Sequence, residues 1–205
     1  MSEPVASEPV IYLVRHGETR ANQERRYEGR GDGDLTEKGL SQAQNAATAL
    51  EGAGIRAVYS SPKRRALRTV HIIADRLGIV PVILDGLAEV DFGEWEGLTY
   101  EEISLRDPQR LQRWLADPLH GRPPGGESLT EMWSRVRRCM AEIVLAHSST
   151  AAAHSGQGAV AVVSHGGPIR AILSYCEHGD LRGFWDTSIS PGEIRAAEPK
   201  KGMIW

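Results

Sequence analysis

Three short apolar runs in this chain each end abruptly on a cluster of polar and glycine residues. Val10-Ile-Tyr-Leu-Val14 runs into Arg15-His16-Gly17, Ala57-Val-Tyr59 into Ser60-Ser-Pro62, and Ala159-Val-Ala-Val-Val163 into Ser164-His165-Gly166-Gly167. Brief uninterrupted apolar runs read as strands covered on both faces, which is the habit of parallel sheets. Between them, apolar residues recur at helical spacing: Leu40, Ala43, Ala47 and Leu50 behind a Thr36 N-cap, then Leu67, Val70, Ala74 and Leu77 closed by Gly78. Capping boxes at Thr99-x-x-Glu102 and Ser128-x-x-Glu131 start further helices, the second long, with Met132, Val136, Cys139 or Met140, and Ile143 on one face. Val80-Pro-Val-Ile-Leu84 reads as a strand at or near an edge, because Pro81 cannot donate to a ladder. The stretch from Gly183 to Trp205 reads as one or two strands, with an antiparallel direction open. The alternation predicts an α/β fold, a three-layer α/β/α sandwich with a mostly parallel central sheet. Ligands of such sheets bind beyond the carboxyl ends of the strands, so the three polar clusters are expected to converge on one crevice.

At 205 residues the chain suits one domain, 1–205, that buries a core without a disulfide or metal staple. A net charge of −3 argues against a broadly basic nucleic-acid surface. The absence of about 20 consecutive apolar residues removes a transmembrane helix. Residues 1–9 carry two glutamates and no basic residue, so they lack the start of a signal peptide and read as a disordered lead-in. Cys139 and Cys176 are too far apart for a CxxC pattern and read as buried thiols of a cytoplasmic protein. Of the 24 basic residues 20 are Arg, which suits phosphate or carboxylate binding but follows equally from codon bias, the reading taken for most of them.

The first polar cluster carries a resemblance. Leu13-Val-Arg-His-Gly-Glu-Thr-x-x-Asn22 is similar to the signature of the histidine phosphatase superfamily, the phosphoglycerate-mutase-like proteins. Further blocks of that family follow in order: Leu35-Thr-x-x-Gly39-x-x-Gln42-Ala43, Ser60-Ser-Pro-x-x-Arg65-Ala66-x-x-Thr69, Glu89-x-x-Phe92-Gly-x-Trp-Glu-Gly97, Pro123-Pro-Gly-Gly-Glu-Ser128 and Val163-Ser-His-Gly-Gly167. Lys63 departs from the pattern, which usually has an apolar residue there.

The chemistry of each residue fits the roles that the resemblance implies. A histidine nucleophile needs one bare ring nitrogen aimed at phosphorus and the other donating to a carbonyl. His16, at a strand-to-loop switch beside Gly17, suits this. Charge gathering on the phosphoryl oxygens must be neutralised, a task for Arg15, Arg65 and His165, with Asn22 as an uncharged donor. Arg65 rather than Arg64 sits in the family register, leaving Arg64 and Lys63 to solvent. Glu89 matches the position of the carboxyl group that protonates the leaving alkoxide and then activates water.

No metal and no cofactor are expected. Glu18, Asp32, Asp34, Asp91, Glu94 and Glu96 lack metal-ligand spacing and read as solvated carboxylates, and the glycine pairs Gly125-Gly126 and Gly166-Gly167 lack the Walker lysine. His71, His120, His147, His154 and His178 read as ordinary surface histidines. Mutases of the family carry a longer insertion than Leu98 to Gly125, so the short segment 98–126, read as lid helices with Tyr100, Leu105, Leu111 and Trp114, points to hydrolysis. The spacing also resembles alpha-ribazole phosphatase and broad-specificity phosphatase members. The expected activity is therefore a phosphomonoesterase acting on a small phosphorylated metabolite, with no nucleic-acid or membrane partner, as monomer or homodimer. The alternatives are a cofactor-dependent phosphoglycerate mutase and a non-catalytic module that binds a phosphorylated ligand.

Overall fold

A computed structural model describes residues 9–148, 158–198 and 205. Five strands form one sheet among these residues: β1 (Val10–Arg15), β2 (Ile55–Ser60), β3 (Val82–Ile83), β4 (Ala159–Ser164) and β5 (Ile194–Ala197). Their order is β3-β2-β4-β1-β5, parallel except for β5, which runs antiparallel to β1. The three strands that end on polar clusters are thus neighbours pointing the same way, and their carboxyl ends meet as the sequence predicts.

Side-chain alternation along β4 divides the core. Val160 and Val162 pack with Ile11 and Leu13 against α6 (Leu129–His147) and α7 (Gly166–His178), through Met132, Val136, Met140, Ile169 and Ile172. Ala161 and Val163 face the other way, with Val14 and Val58, against α2 (Glu37–Leu50) and α3 (Arg64–Leu77). Strand β4 is buried along its whole length, and the three-layer α/β/α expectation holds. The expected caps form: Thr36 accepts from Gly39, the Thr99 and Ser128 capping boxes close, and Gly78 ends α3 in the left-handed conformation.

Several boundaries differ from expectation. β3 shrinks to two exposed residues at the sheet edge, with Val80 left 87% exposed, because Pro81 blocks earlier pairing. The C-terminal region supplies the single short strand β5 among the described residues. Pro9 is buried against the fold, while the rest of the expected disordered lead-in, residues 1–8, lies outside the described residues, as does His154.

Segment 98–126 contains α4 (Tyr100–Arg106) and α5 (Pro108–Ala116), which follow the short helix α1 (Arg20–Gln23), α2 and α3 in chain order. Ile103, Leu111 and Trp114 pack with Trp95 into a small satellite core that also holds Tyr27, Phe92 and Leu98. Leu105, also expected in the lid helices, is 86% exposed and takes no part in this core.

Candidate active site

His16 leaves β1 at the point where the chain turns. Its backbone N–H extends the pairing to Ser164 O at 3.0 Å, and its ring lies 2% exposed. Nδ1 is 2.8 Å from Gly17 O. A carbonyl can only accept, so the ring proton sits on Nδ1 and Nε2 presents a lone pair with no hydrogen-bond partner among the described residues. Burial, then the fields of Arg65 and Arg15, push the ring's pKa well below the usual histidine value, so it is neutral at pH 7. Gly17 is required here by its neighbour: a Cβ at this position would lie 2.2 Å from Gly39 O.

Arg65 faces inward from the first turn of α3 and is 1% exposed. Its guanidinium donates to Gly31 O at 2.8 Å, Glu28 O at 2.8 Å and Gly29 O at 3.0 Å. Arg64 stays exposed and pairs with Asp34 at 2.9 Å, while the Lys63 ammonium reaches Arg30 O at 2.9 Å. The choice of Arg65 over Arg64 at the inward position therefore holds.

The loop that cradles Arg65 is itself organised by Glu96. That carboxylate accepts the backbone N–H groups of Gly29, Arg30, Gly31 and Phe92 at 2.9–3.3 Å. The reading of Glu96 as a solvated carboxylate is corrected, because four orphan amides from two loops converge on it. Glu18 is corrected likewise: it is 9% exposed and receives Gln23, Thr36 and Lys38. Among the described residues no group of three or more His, Cys, Asp or Glu side chains is placed to hold a metal ion.

Glu89 reaches across to the N-terminus of α7. Its carboxylate accepts from Gly167 N at 3.1 Å and from its own neighbour Val90 N at 2.9 Å. A Cβ on Gly166 would lie 3.7 Å from both Arg15 Cζ and Glu89 Oε2, so Arg15 and Glu89 flank a floor of bare glycine. The segment carrying Glu89 is held by two residues that sequence reasoning missed. Arg135 on α6 donates to Gly86 O, Ala88 O and Glu89 O at 2.9, 2.6 and 2.8 Å, pairs with Glu127, and Glu127 accepts Asp91 N at 3.0 Å. Glu127 lay within the quoted Gly-Gly-Glu-Ser block, but nothing in the sequence linked Arg135 to Glu89.

Arg15 spends one N–H on Ile189 O at 2.7 Å, and its buried Nε has no partner among the described residues. His165 is fully buried, its ring centroid 5.0 Å from that of His16. Burial, Arg65, His16 and Arg15 lower its pKa well below the usual histidine value, so it is neutral at pH 7. The positive charge about the site comes from arginines: Arg15, Arg65 and, lining the adjoining cavity, Arg170, whose charge acts on Arg15. Asn22 stands at the margin: its Oδ1 caps Thr19 N at 3.1 Å, and it lines a side cleft with Arg15. The remaining expected surface histidine of note, His147, hydrogen-bonds Tyr59 Oη at 2.9 Å.

A cavity of about 620 Å³ opens over Arg15, Glu89, Gly166 and Gly167. Tyr27, Phe92, Trp114, Phe184 and Trp185 wall it, and Tyr100, Trp114 and Leu115 of α4 and α5 contribute one side. His16, Arg65 and His165 do not line this cavity, which meets the buried cluster through Arg15 and Glu89.

A family model for the histidine phosphatase superfamily, branch 1, matches residues 11–204. A Mycobacterium tuberculosis protein named as bifunctional is 42% identical over 164 residues, 80% of this chain but 43% of that protein, so the chain spans less than half the length of this relative. Phosphoserine phosphatase 1 of Hydrogenobacter thermophilus is 34% identical over 175 residues, 85% of this chain and 79% of that one. The solved alpha-ribazole phosphatase of Shigella flexneri superposes with a TM-score of 0.80 at 26% identity, over 91% of this chain and 89% of that one. With that family match across nearly its whole length, and with Arg15, His16 and His165 at the ends of adjacent parallel strands and Arg65 in the first turn of the helix that follows a third, the chain belongs to the histidine phosphatase superfamily, branch 1.

Proposed function

We propose that this protein is a phosphomonoesterase that hydrolyses a small phosphorylated metabolite through a phosphohistidine on His16. The observation that carries the reading is the His16 ring, neutral, fixed through Nδ1 on Gly17 O and bare at Nε2 under the fields of Arg65 and Arg15. In the proposed first step Nε2 attacks phosphorus, the P–O bond to the leaving group breaks, and the alkoxide takes a proton from the Glu89 carboxyl. In the second, Glu89 takes a proton from water, the water oxygen attacks phosphorus, and phosphate leaves with the electron pair of the P–N bond returned to Nε2. Arg15, Arg65 and His165 hold the phosphoryl oxygens, and Asn22 adds a donor at the edge.

The leaving group would occupy the 620 Å³ cavity, whose aromatic walls suit a planar or apolar alcohol. The relative named alpha-ribazole phosphatase and the one named phosphoserine phosphatase act, by their names, on different esters, and alpha-ribazole 5′-phosphate is one candidate here. We further infer that residues 1–205 act as one domain with 98–126 as its lid. No helix among the described residues is long and apolar enough to cross a membrane.

The test is a phosphate-release screen of purified protein on phosphorylated metabolites, with His16→Ala as control and acid-labile, base-stable label sought on the protein. Release that falls at least about a thousand-fold in His16→Ala is expected. Tight phosphate binding without turnover would instead make this a binding module, and bisphosphate-primed isomerisation of 3-phosphoglycerate exceeding phosphate release would make it a mutase.

A further inference from the structure

We propose that Ser61 is a positioning residue that holds His165 in the Nδ1–H tautomer, making the ring a neutral donor toward a phosphoryl oxygen. The inference rests on the phosphate-binding part of the function proposed above. Ser61 sits one residue past β2, kept in register by its own N–H on Val163 O at 3.1 Å, and its side chain is completely buried. Among the described residues, two groups lie within hydrogen-bonding distance of its Oγ: the backbone N of Lys63 at 3.2 Å and Nε2 of His165 at 2.7 Å.

The direction of the second bond follows from the first. Lys63 N–H can only donate, so Ser61 Oγ accepts there and keeps its single proton for another partner. The available acceptor is His165 Nε2, provided that nitrogen carries no hydrogen. The opposite assignment, with Nε2–H donating, leaves the hydroxyl proton buried without a partner. It also puts a bare lone pair on Nδ1.

Nδ1 of His165 is buried and has no partner among the described residues. It faces away from Ser61, with the His16 ring 5.0 Å from its own. A proton there gives phosphate a donor, whereas a lone pair there would oppose the phosphoryl oxygens. His16 and His165 thus end in complementary states by the same logic. A carbonyl sets His16 to offer a lone pair, and a hydroxyl sets His165 to offer a hydrogen. Both rings are neutral, so the difference between them is one of tautomer and not of charge.

Long-range proton–nitrogen NMR of histidine-labelled protein reads this directly, with His165→Asn to assign the resonance. Wild type is expected to show His165 protonated on Nδ1. Ser61→Ala is expected to shift the ring toward Nε2–H, to weaken inorganic phosphate binding about ten-fold, and to lower kcat/KM by about ten- to a hundred-fold, with substantial rescue in Ser61→Thr. An Nε2–H ring in wild type overturns the proposal without any variant. So does a Ser61→Ala protein that keeps the Nδ1–H ring and its phosphate affinity, since a merely structural serine would lower thermal stability alone. If wild type shows the Nδ1–H ring and binds phosphate but turns over no ester, this inference stands and the phosphatase reading fails.

Discussion

Arg135 grips the backbone of Glu89. One guanidinium nitrogen donates to Glu89 O at 2.8 Å while the other takes Ala88 O and Gly86 O, and Glu127 ties the far side through Asp91 N. In the proposed mechanism this carboxyl group must reach a leaving oxygen and later a water, so it gains little from flexibility, and the clamp fixes the backbone from which it projects. Two charges on neighbouring elements, α6 and the turn before it, therefore serve a residue 46 positions away from Arg135 in sequence.

Arg135→Lys keeps the charge but loses the fork that spans three carbonyls. It should lower kcat about a hundred-fold on alkyl phosphates, whose leaving oxygen needs a proton, and less on aryl phosphates in single-turnover measurements. Equal losses on both ester types would assign Arg135 to general stability instead.

Gly167 leaves no room for a side chain beside Glu89. A Cβ there would sit 2.3 Å from Glu89 Oε1, the movable end of its side chain, and 3.0 Å from Val90 Cγ2. Gly167→Ala should swing the carboxylate away and cut activity about a hundred-fold with only a small change in melting temperature. At Gly166 the same addition meets Arg15 and Glu89 at ordinary contact distance, so Gly166→Ala should fold normally and raise KM by covering the floor of the cavity. A fully active Gly167→Ala enzyme would dissociate Glu89 from catalysis.

The buried histidines make stability depend on pH. Both folded-state pKa values lie below the unfolded value near 6.5, so below about pH 6.5 the unfolded chain binds protons that the folded chain does not. Stability should then fall on acidification, by up to about 1.4 kcal/mol per pH unit for each histidine, until the folded pKa is reached. Denaturant unfolding between about pH 7.5 and 5 should show this decline, with a shallower slope in His165→Asn. An unchanged slope in that variant would contradict the buried neutral state of His165.

Glu96 should matter for substrate binding although it lies outside the cluster. Glu96→Ala orphans the amides of Gly29, Arg30, Gly31 and Phe92, at about 1–3 kcal/mol for each that water does not reach. Since the same loop cradles Arg65, KM should rise together with the loss of melting temperature. Glu96→Gln, which keeps one oxygen acceptor, should show milder forms of both. Unaltered KM in a destabilised Glu96→Ala protein would uncouple the loop from Arg65.

Local chemistry was legible from the chain. The apolar period of β4, the Thr36, Thr99 and Ser128 caps and Gly78 depend on residues a few positions apart, where backbone sterics and side-chain spacing act directly, whereas the inward register of Arg65 rests on the family resemblance. The convergence of Arg15, His16, Ser61 and His165 followed too, because parallel strands put their carboxyl ends together. Tertiary structure alone decided the rest. That Glu96 gathers four amides, that Arg135 holds Glu89, that Leu105 faces solvent, and that both histidines are neutral are matters of which groups are removed from water together. Burial and hydrogen-bond partners across dozens of residues are properties of the packed chain, and no spacing in the sequence encodes them.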